Sequence, residues 1–235
     1  PLRETTAAVL LQMMCWRRKT PFHDPFCGSG TLAIEAALYA YNVAPGFGRR
    51  FALVTLLIFN AERALEIKRA EAEKIRPECE ARITGTDIDP VAVSRARLNA
   101  EHACVTAGRA LQLIGSDARI QRPDFEQADF RDIEAPYESG LILANPPYGE
   151  RISTDDLLGL YQMIGERLKH AFTGNDAWIL SYRDECFDQI GLKPSVKIPL
   201  YNGALECQFR KYQLFDGKYK AFRSENEGQE FKPRR

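Results

Sequence analysis

Apolar and polar positions along this chain switch repeatedly between a period near two and a period near 3.6, and the switches divide it into elements. Residues 2–18 place Ala8, Leu11 and Cys15 on one helical face, with Glu4 in the first turn and Arg17, Arg18 and Lys19 at the end; Pro21 stops the helix. A short strand follows at 22–26, then a glycine-containing loop from Pro25 to Gly30, then an apolar helix over 31–41. Residues 43–81 break the rhythm. Pro45, Gly46 and Gly48 predict a loop, and 51–75 reads as helical segments rich in Ala, Glu, Lys and Arg. Six acids and six bases lie between residues 61 and 82, the pattern of a solvated helix face.

The rhythm then resumes. Strands are predicted at 82–86 (ending at Asp87), 125–129, 140–144 (ending at Asn145) and 176–181, and helices at 90–103 and 155–172. Strands alternating with helices favour a parallel sheet covered on both faces. The end differs: runs at 195–200 and 205–215 flank Asn202-Gly203, a strong hairpin signal. The expected architecture is an α/β fold, a mostly parallel sheet that closes with an antiparallel C-terminal hairpin.

Composition narrows the class. In 235 residues, 45% are hydrophobic, and 32 basic side chains balance 32 acidic ones, which excludes a disordered tail and a broad positive coat for nucleic acid. A nucleic-acid enzyme with local basic patches stays open. The six cysteines form no CxxC pair and have no histidines at zinc-ligand spacing, so a reduced, cytoplasmic setting without a structural metal is expected. The longest apolar stretch, 51–59 broken by Thr55, is about 14 Å long as a helix, too short to cross a bilayer. The chain opens at Pro1 directly into a helical pattern, which suggests a longer protein from which the start is missing.

Ligands of parallel sheets sit beyond the carboxyl ends of the strands, so strand ends carry the candidate chemistry. The first ends in Asp24-Pro25-Phe26-Cys27-Gly28-Ser29-Gly30-Thr31, where two glycines allow close backbone approach at a helix start. There is no GxxxxGK[ST] string, and Leu32-Ala33 replace the third glycine of GxGxxG, which disfavours a pyrophosphate site. The second strand ends at Asp87-Ile88-Asp89-Pro90. Asp87 suits the two hydroxyls of a ribose, and Asp89 suits an N-cap before Pro90. At the third strand end Asp129 could accept from an adenine amino group, with Asp117 as its competitor. The fourth delivers Asn145-Pro146-Pro147-Tyr148-Gly149 to the same edge.

This order of motifs resembles the class I S-adenosylmethionine-dependent methyltransferases of the Asn-Pro-Pro-Tyr type. The flanks are more specific: Pro1-Leu2-Arg3-Glu4-Thr5, the Asp24–Thr31 string, Asn145-Pro146-Pro147-Tyr148-Gly149-Glu150-Arg151 and Leu200-Tyr201-Asn202-Gly203-Ala204-Leu205-Glu206-Cys207. They are similar to the catalytic domain of THUMP-containing 23S ribosomal RNA guanine-N2 methyltransferases over residues 1–215. The resemblance implies a Rossmann-like, seven-stranded class I domain, with 43–81 as a helical insertion and 216–235 as a basic tail. It also implies an RNA-binding THUMP domain ahead of the chain. The implied cofactor is S-adenosylmethionine, held by Asp24, Phe26, Gly28, Gly30, Thr31, Asp87, Ile88 and Asp129. Asn145, Pro146 and Tyr148 would act on an unpaired or flipped guanine of ribosomal RNA, with no metal and no membrane involved. The same motif also suits DNA adenine N6 or a protein glutamine amide as acceptor, and a non-catalytic RNA-binding module that keeps the fold is a further alternative.

Other reactive residue types fit less well. Cys27 follows no proline and no thiol stands in the Asn-Pro-Pro-Tyr loop, so a cysteine nucleophile is disfavoured; His23, His102 and His170 lack mutual spacing for a triad or a metal. Basic clusters at Arg17-Arg18-Lys19 and Arg49-Arg50, and eight bases against four acids over 208–235, are candidate RNA contacts. Residues 121–160 hold three bases against nine acids and would repel phosphate if all faced it.

Overall fold

The computed structural model describes residues 2–49, 52, 60–147 and 153–216. Seven strands, β1 (Phe22–Asp24), β2 (Ile83–Asp87), β3 (Asp124–Gln127), β4 (Leu141–Ala144), β5 (Asp176–Ser181), β6 (Val196–Asn202) and β7 (Leu205–Gln213), form one sheet in the order β3-β2-β1-β4-β5-β7-β6. The first five in this order run parallel; β7 is antiparallel to both β5 and β6. Chain order therefore reverses between β1 and β4, the place where such sheets open a crevice. Asp24 pairs with Gly85 and Ala144 with Ile179, so Asp24, Asp87 and Asn145 all emerge at one edge.

Among the described residues six helices cover the sheet: α1 (Glu4–Met13), α2 (Thr31–Ala40), α3 (Ala61–Ala72), α4 (Pro90–Gln112), α5 (Thr154–Ala171) and α6 (Asp184–Gln189). Alternation along the strands distributes side chains between two cores. On one face Leu141, Leu143, Trp178, Leu180 and Phe209 join the buried residues of α1, α2 and α4. On the other Ile142, Ala144, Ala177, Ile179 and Tyr212 pack under α5 and α6. The strand Leu141-Ile142-Leu143-Ala144 is buried on both sides, as a central parallel strand requires.

Several sequence boundaries move. The first helix ends at Met13, short of residue 18, because Cys15 (φ 52°) and Arg18 (φ 63°) take left-handed backbone. Its buried face is Ala7, Leu10, Leu11 and Met14, one register away from the Ala8, Leu11, Cys15 stripe, since this setting buries the larger side chains. In contrast, α4 runs on to Gln112, nine residues past the expected end. Ala107, Ala110 and Leu111 continue the buried stripe begun by Val93, Ala96 and Ala100, and that packing outweighs the helix cost of Gly108. Asp89 caps this helix by accepting from Val91 N at 2.8 Å, as expected. The short α6 was not anticipated; Cys186 and Phe187 anchor it.

Two expectations gain detail. Of α3 only Ala72 is buried, so its charged surface is solvated. In the hairpin Asn202 pairs with Leu205, so the two loop residues are Gly203 and Ala204 rather than Asn202 and Gly203. Gly203 supplies the positive φ of 66° at the first of them. Residues 53–59 of the apolar stretch, Arg50 and 217–235 of the basic tail lie outside the described residues.

Candidate active site at the carboxyl edge of the sheet

A cleft of about 820 Å³ opens where the strand order reverses, large enough for a nucleoside-sized ligand. Its floor is the turn between β1 and α2. Cys27 N donates to Thr86 O at 2.9 Å and Gly30 N to Cys27 O at 2.7 Å, which draws the turn against β2. Asn99 of α4 adds a bond from Nδ2 to Ser29 O at 2.9 Å. At Gly30 (φ 84°) a side chain is barred twice over, by the left-handed backbone and because a Cβ would stand 2.9 Å from Phe125 Cζ.

Asp87 fixes the turn from the next strand. Its Oδ2 accepts from Gly28 N at 2.8 Å and its Oδ1 from Asp89 N at 3.0 Å. A carboxylate offers about four acceptor positions, so roughly two remain for a ligand diol. Asp24 is a different kind of acid. It is 1% exposed yet lines the cleft, and the bond it receives is from Phe26 N to Oδ1 at 3.2 Å. Burial pushes its carboxyl up to about 8; the Phe26 N–H opposes the shift and the nearby Asp87 charge adds to it. A buried carboxyl with spare acceptor capacity suits a cationic ligand group.

Apolar surface completes the cleft. Phe26 packs on Phe130 with ring centroids 5.2 Å apart, Phe130 stacks on Phe172 at 5.3 Å, and exposed Ile88 lies on the β2 side. Asp129 also lines the cleft and Asp117 does not. Arg131 grips Asp129 through Nε at 3.1 and 3.0 Å, and these bonds hold the Asp129 carboxyl below its usual range. On the opposite wall half-buried Asn145 follows β4 directly.

Of the sequence candidates, then, Asp24, Phe26, Gly28, Thr31, Asp87, Ile88, Asp129 and Asn145 come together in one cleft. Gly30 and Pro146 do not line it: Gly30 packs behind the turn and Pro146 is buried, while Pro147 takes the lining position. Tyr148 lies outside the described residues. Sequence reasoning missed Arg95, Arg131 and one whole wall, formed by Asp156, Gly159, Leu160 and Met163 of α5. Their i, i+3, i+4, i+7 spacing marks a helix face; the adjoining face, Leu157, Tyr161, Ile164 and Leu168, is the one in the core.

The thiol of Cys27 is pushed up by burial and by the Asp24 and Asp87 charges, the reverse of what a nucleophile needs. His23 is buried, with Nδ1 2.9 Å from Thr84 Oγ1, and burial holds it down to about 4, so it is a neutral core residue. Among the described residues no cluster of three or more His, Cys, Asp or Glu is placed to hold a metal, and no helix is long and apolar enough to cross a membrane.

A sheet of this strand order, with its cleft at the switch point and an asparagine leaving β4 into it, defines a class I methyltransferase domain. The chain matches over residues 1–211 the model for UPF0020, the RMKL-like methyltransferase domain, and belongs to that family. It is 34% identical over 217 residues to a provisionally named RNA methyltransferase of Synechocystis sp., covering 92% of this chain and 53% of that protein. It is 35% identical over 235 residues to the ribosomal RNA large subunit methyltransferase K/L of Photobacterium profundum (97% and 31%). The chain thus spans about half and about a third of the lengths of these two relatives. Among solved structures, a provisionally assigned methyltransferase in complex with S-adenosylhomocysteine aligns with TM-score 0.76 at 27% identity (93% and 54%). A Listeria monocytogenes protein named for N6-adenine-specific DNA methylation aligns with TM-score 0.76 at 29% identity (91% and 52%).

Proposed function

We propose that this domain transfers a methyl group from S-adenosylmethionine to the exocyclic N2 of a guanine in ribosomal RNA, that of the large subunit, in the cytoplasm. The observation that carries the proposal is the shared cleft of Asn145 with Asp24, Asp87 and the Gly28 turn. The relatives named for ribosomal RNA point to the acceptor.

The residues fit the cofactor. A Cβ built on Gly28 meets nothing within 4 Å, so that side of the turn is open. Asp87 has acceptor positions for the ribose diol, Asp24 for the amino group, and Phe26 and Ile88 offer apolar surface to the adenine, with Asp129 beside it. Thr31, at the start of α2, adds a hydroxyl to the same wall. When bound, S-adenosylmethionine supplies an electrophilic methyl group.

The protein's task is then to present a poor nucleophile. The lone pair of a guanine N2 is delocalised into the ring. Asn145 Oδ1 and the Pro146 carbonyl would accept the two N2–H bonds, turn the lone pair toward the methyl and stabilise positive charge as it develops on nitrogen. No strong base is required. Tyr148 is proposed to stack on the base, worth ~1–3 kcal/mol in comparable platforms. A paired guanine has to leave its helix to reach this cleft, hence an unpaired or flipped target. An RNA-binding THUMP domain in the full protein would hold the surrounding RNA.

Incubation with labelled S-adenosylmethionine and undermodified ribosomal RNA or DNA, followed by nucleoside analysis, tests the proposal. N2-methylguanine is the expected product. N6-methyladenine as the sole product would replace this reading with the one that the Listeria structure's name suggests.

A further inference from the structure

We propose that Asp156 reads the target base, accepting the N1–H of guanine beside the reacting N2 and turning adenine away. The inference rests on the reading of the cleft as a methyl-transfer site for an exocyclic amine. Asn145 alone does not decide between guanine and adenine, because both present an amine to an amide oxygen. The bases differ at the adjacent ring nitrogen: N1 of guanine carries a proton and N1 of adenine carries a lone pair. A discriminating site therefore needs an acceptor, preferably charged, next to the asparagine.

Among the described residues four acidic side chains line the cleft, and three have other partners or places. Asp24 is buried in the floor against the Phe26 N–H. Asp87 holds the Gly28 and Asp89 N–H groups with one oxygen each. Asp129 is held by Arg131 through both oxygens. Asp156 stands on the α5 wall with Leu160 and Met163, in the first turn of the helix that follows β4, and Asn145 follows β4 directly. Ser153 Oγ donates to its Oδ2 at 2.5 Å, which orients the carboxylate. Among the described residues its Oδ1 receives no hydrogen bond, so that oxygen can take the N1–H. Leu160 and Met163 would then lie along the base, and the same carboxylate would face the N1 lone pair of an adenine, an unfavourable contact without a proton between them.

The probe variant is Asp156→Asn, whose amide oxygen still accepts from Ser153 Oγ and whose NH2 offers a donor where the acceptor stood. Saturation-transfer NMR with guanosine and adenosine, in the presence of S-adenosylhomocysteine, should show a guanosine preference in the wild type that D156N loses or inverts. Guanosine methylated at N1 should bind the wild type no better than adenosine does. Transfer to undermodified ribosomal RNA should fall at least tenfold in D156N, the size expected for a hydrogen bond to a charged group, with S-adenosylhomocysteine affinity and melting temperature unchanged. A wild type without guanosine preference, or a D156N enzyme within threefold of normal N2-methylguanine formation, overturns the assignment and leaves the transfer reading standing. N6-methyladenine formation by the wild type overturns the transfer reading itself.

Discussion

Replacing Asp24 by Asn should stabilise the ligand-free protein above neutral pH and leave its stability in acid unchanged. The carboxyl is 1% exposed and burial raises it from 3.8 to about 8. In the unfolded chain it ionises near its ordinary value, so between these limits folding carries a proton that the unfolded state has lost. Stability associated with this group is complete below about pH 3.8, declines as pH rises, and is fully lost above about pH 8. Four units at 1.36 kcal/mol each set an upper bound of about 5–6 kcal/mol, and relaxation of the turn with water entry lowers it. The amide of Asn is neutral at every pH, keeps an oxygen for the Phe26 N–H and can donate to Asp87. Urea unfolding at pH 4 and pH 8 measures the difference: the variant should match the wild type at pH 4 and exceed it by about 2 kcal/mol or more at pH 8. A variant equally stable or weaker at pH 8 refutes the buried, proton-holding carboxyl.

Other outcomes follow from the same geometry. Calorimetry of S-adenosylhomocysteine binding at pH 7 in buffers of different ionisation enthalpy should report close to one proton released, because a ligand ammonium favours the Asp24 carboxylate; in Asp24→Asn the release disappears. Asn145→Ala should lower transfer at least a hundredfold with S-adenosylhomocysteine affinity within threefold, since its amide acts mainly on the reacting amine; single-turnover rates decide this. Gly30→Ala should cost about 1–3 kcal/mol in a denaturant melt, because the left-handed backbone and the Phe125 ring both resist a Cβ. Cys27→Ala should keep transfer within a fewfold, and a dead variant would restore the nucleophile that the raised thiol argues against.

What could be read from the sequence was whatever local chemistry dictates. Asp24, Asp87 and Asn145 stood out because each follows a strand that is legible from a handful of residues, and parallel pairing brings strand ends to one edge regardless of detail. The seven-stranded mixed sheet followed from the resemblance and from the hairpin signal near Gly203. Features set by tertiary packing were not legible. Whether Gly108 ends a helix depends on Ala107, Ala110 and Leu111 having a core to enter. That Gly30 packs on Phe125 rather than facing a ligand depends on a strand 95 residues away. The α5 wall was not legible because the strong core stripe of Leu157, Tyr161, Ile164 and Leu168 accounts for the helix by itself, and only the tertiary fold turns the adjoining face toward the cleft.

That wall also changes what the net charge of zero means. The average conceals a cleft lined by Asp24, Asp87, Asp129 and Asp156 against Arg95 and Arg131, and Arg131 is bound to Asp129. Asp24 holds its proton until about pH 8, and among the described residues the remaining three carboxylates against two guanidiniums still give a negative local field inside low-dielectric walls, where it is weakly screened. Such a field opposes entry of a sugar-phosphate backbone and favours a ligand bearing an ammonium or a base edge rich in N–H donors. Under the proposed function this is a selection rule. The cofactor enters through its positive groups, guanine enters by its donor edge ahead of its phosphates, and adenine would set its N1 lone pair against the Asp156 carboxylate. Contacts that hold the RNA itself then belong outside the cleft, so raising salt should weaken RNA binding, which depends on phosphate contacts, and leave S-adenosylhomocysteine affinity little changed. Equal salt slopes for the two ligands would show that the phosphate contacts lie within the cleft after all.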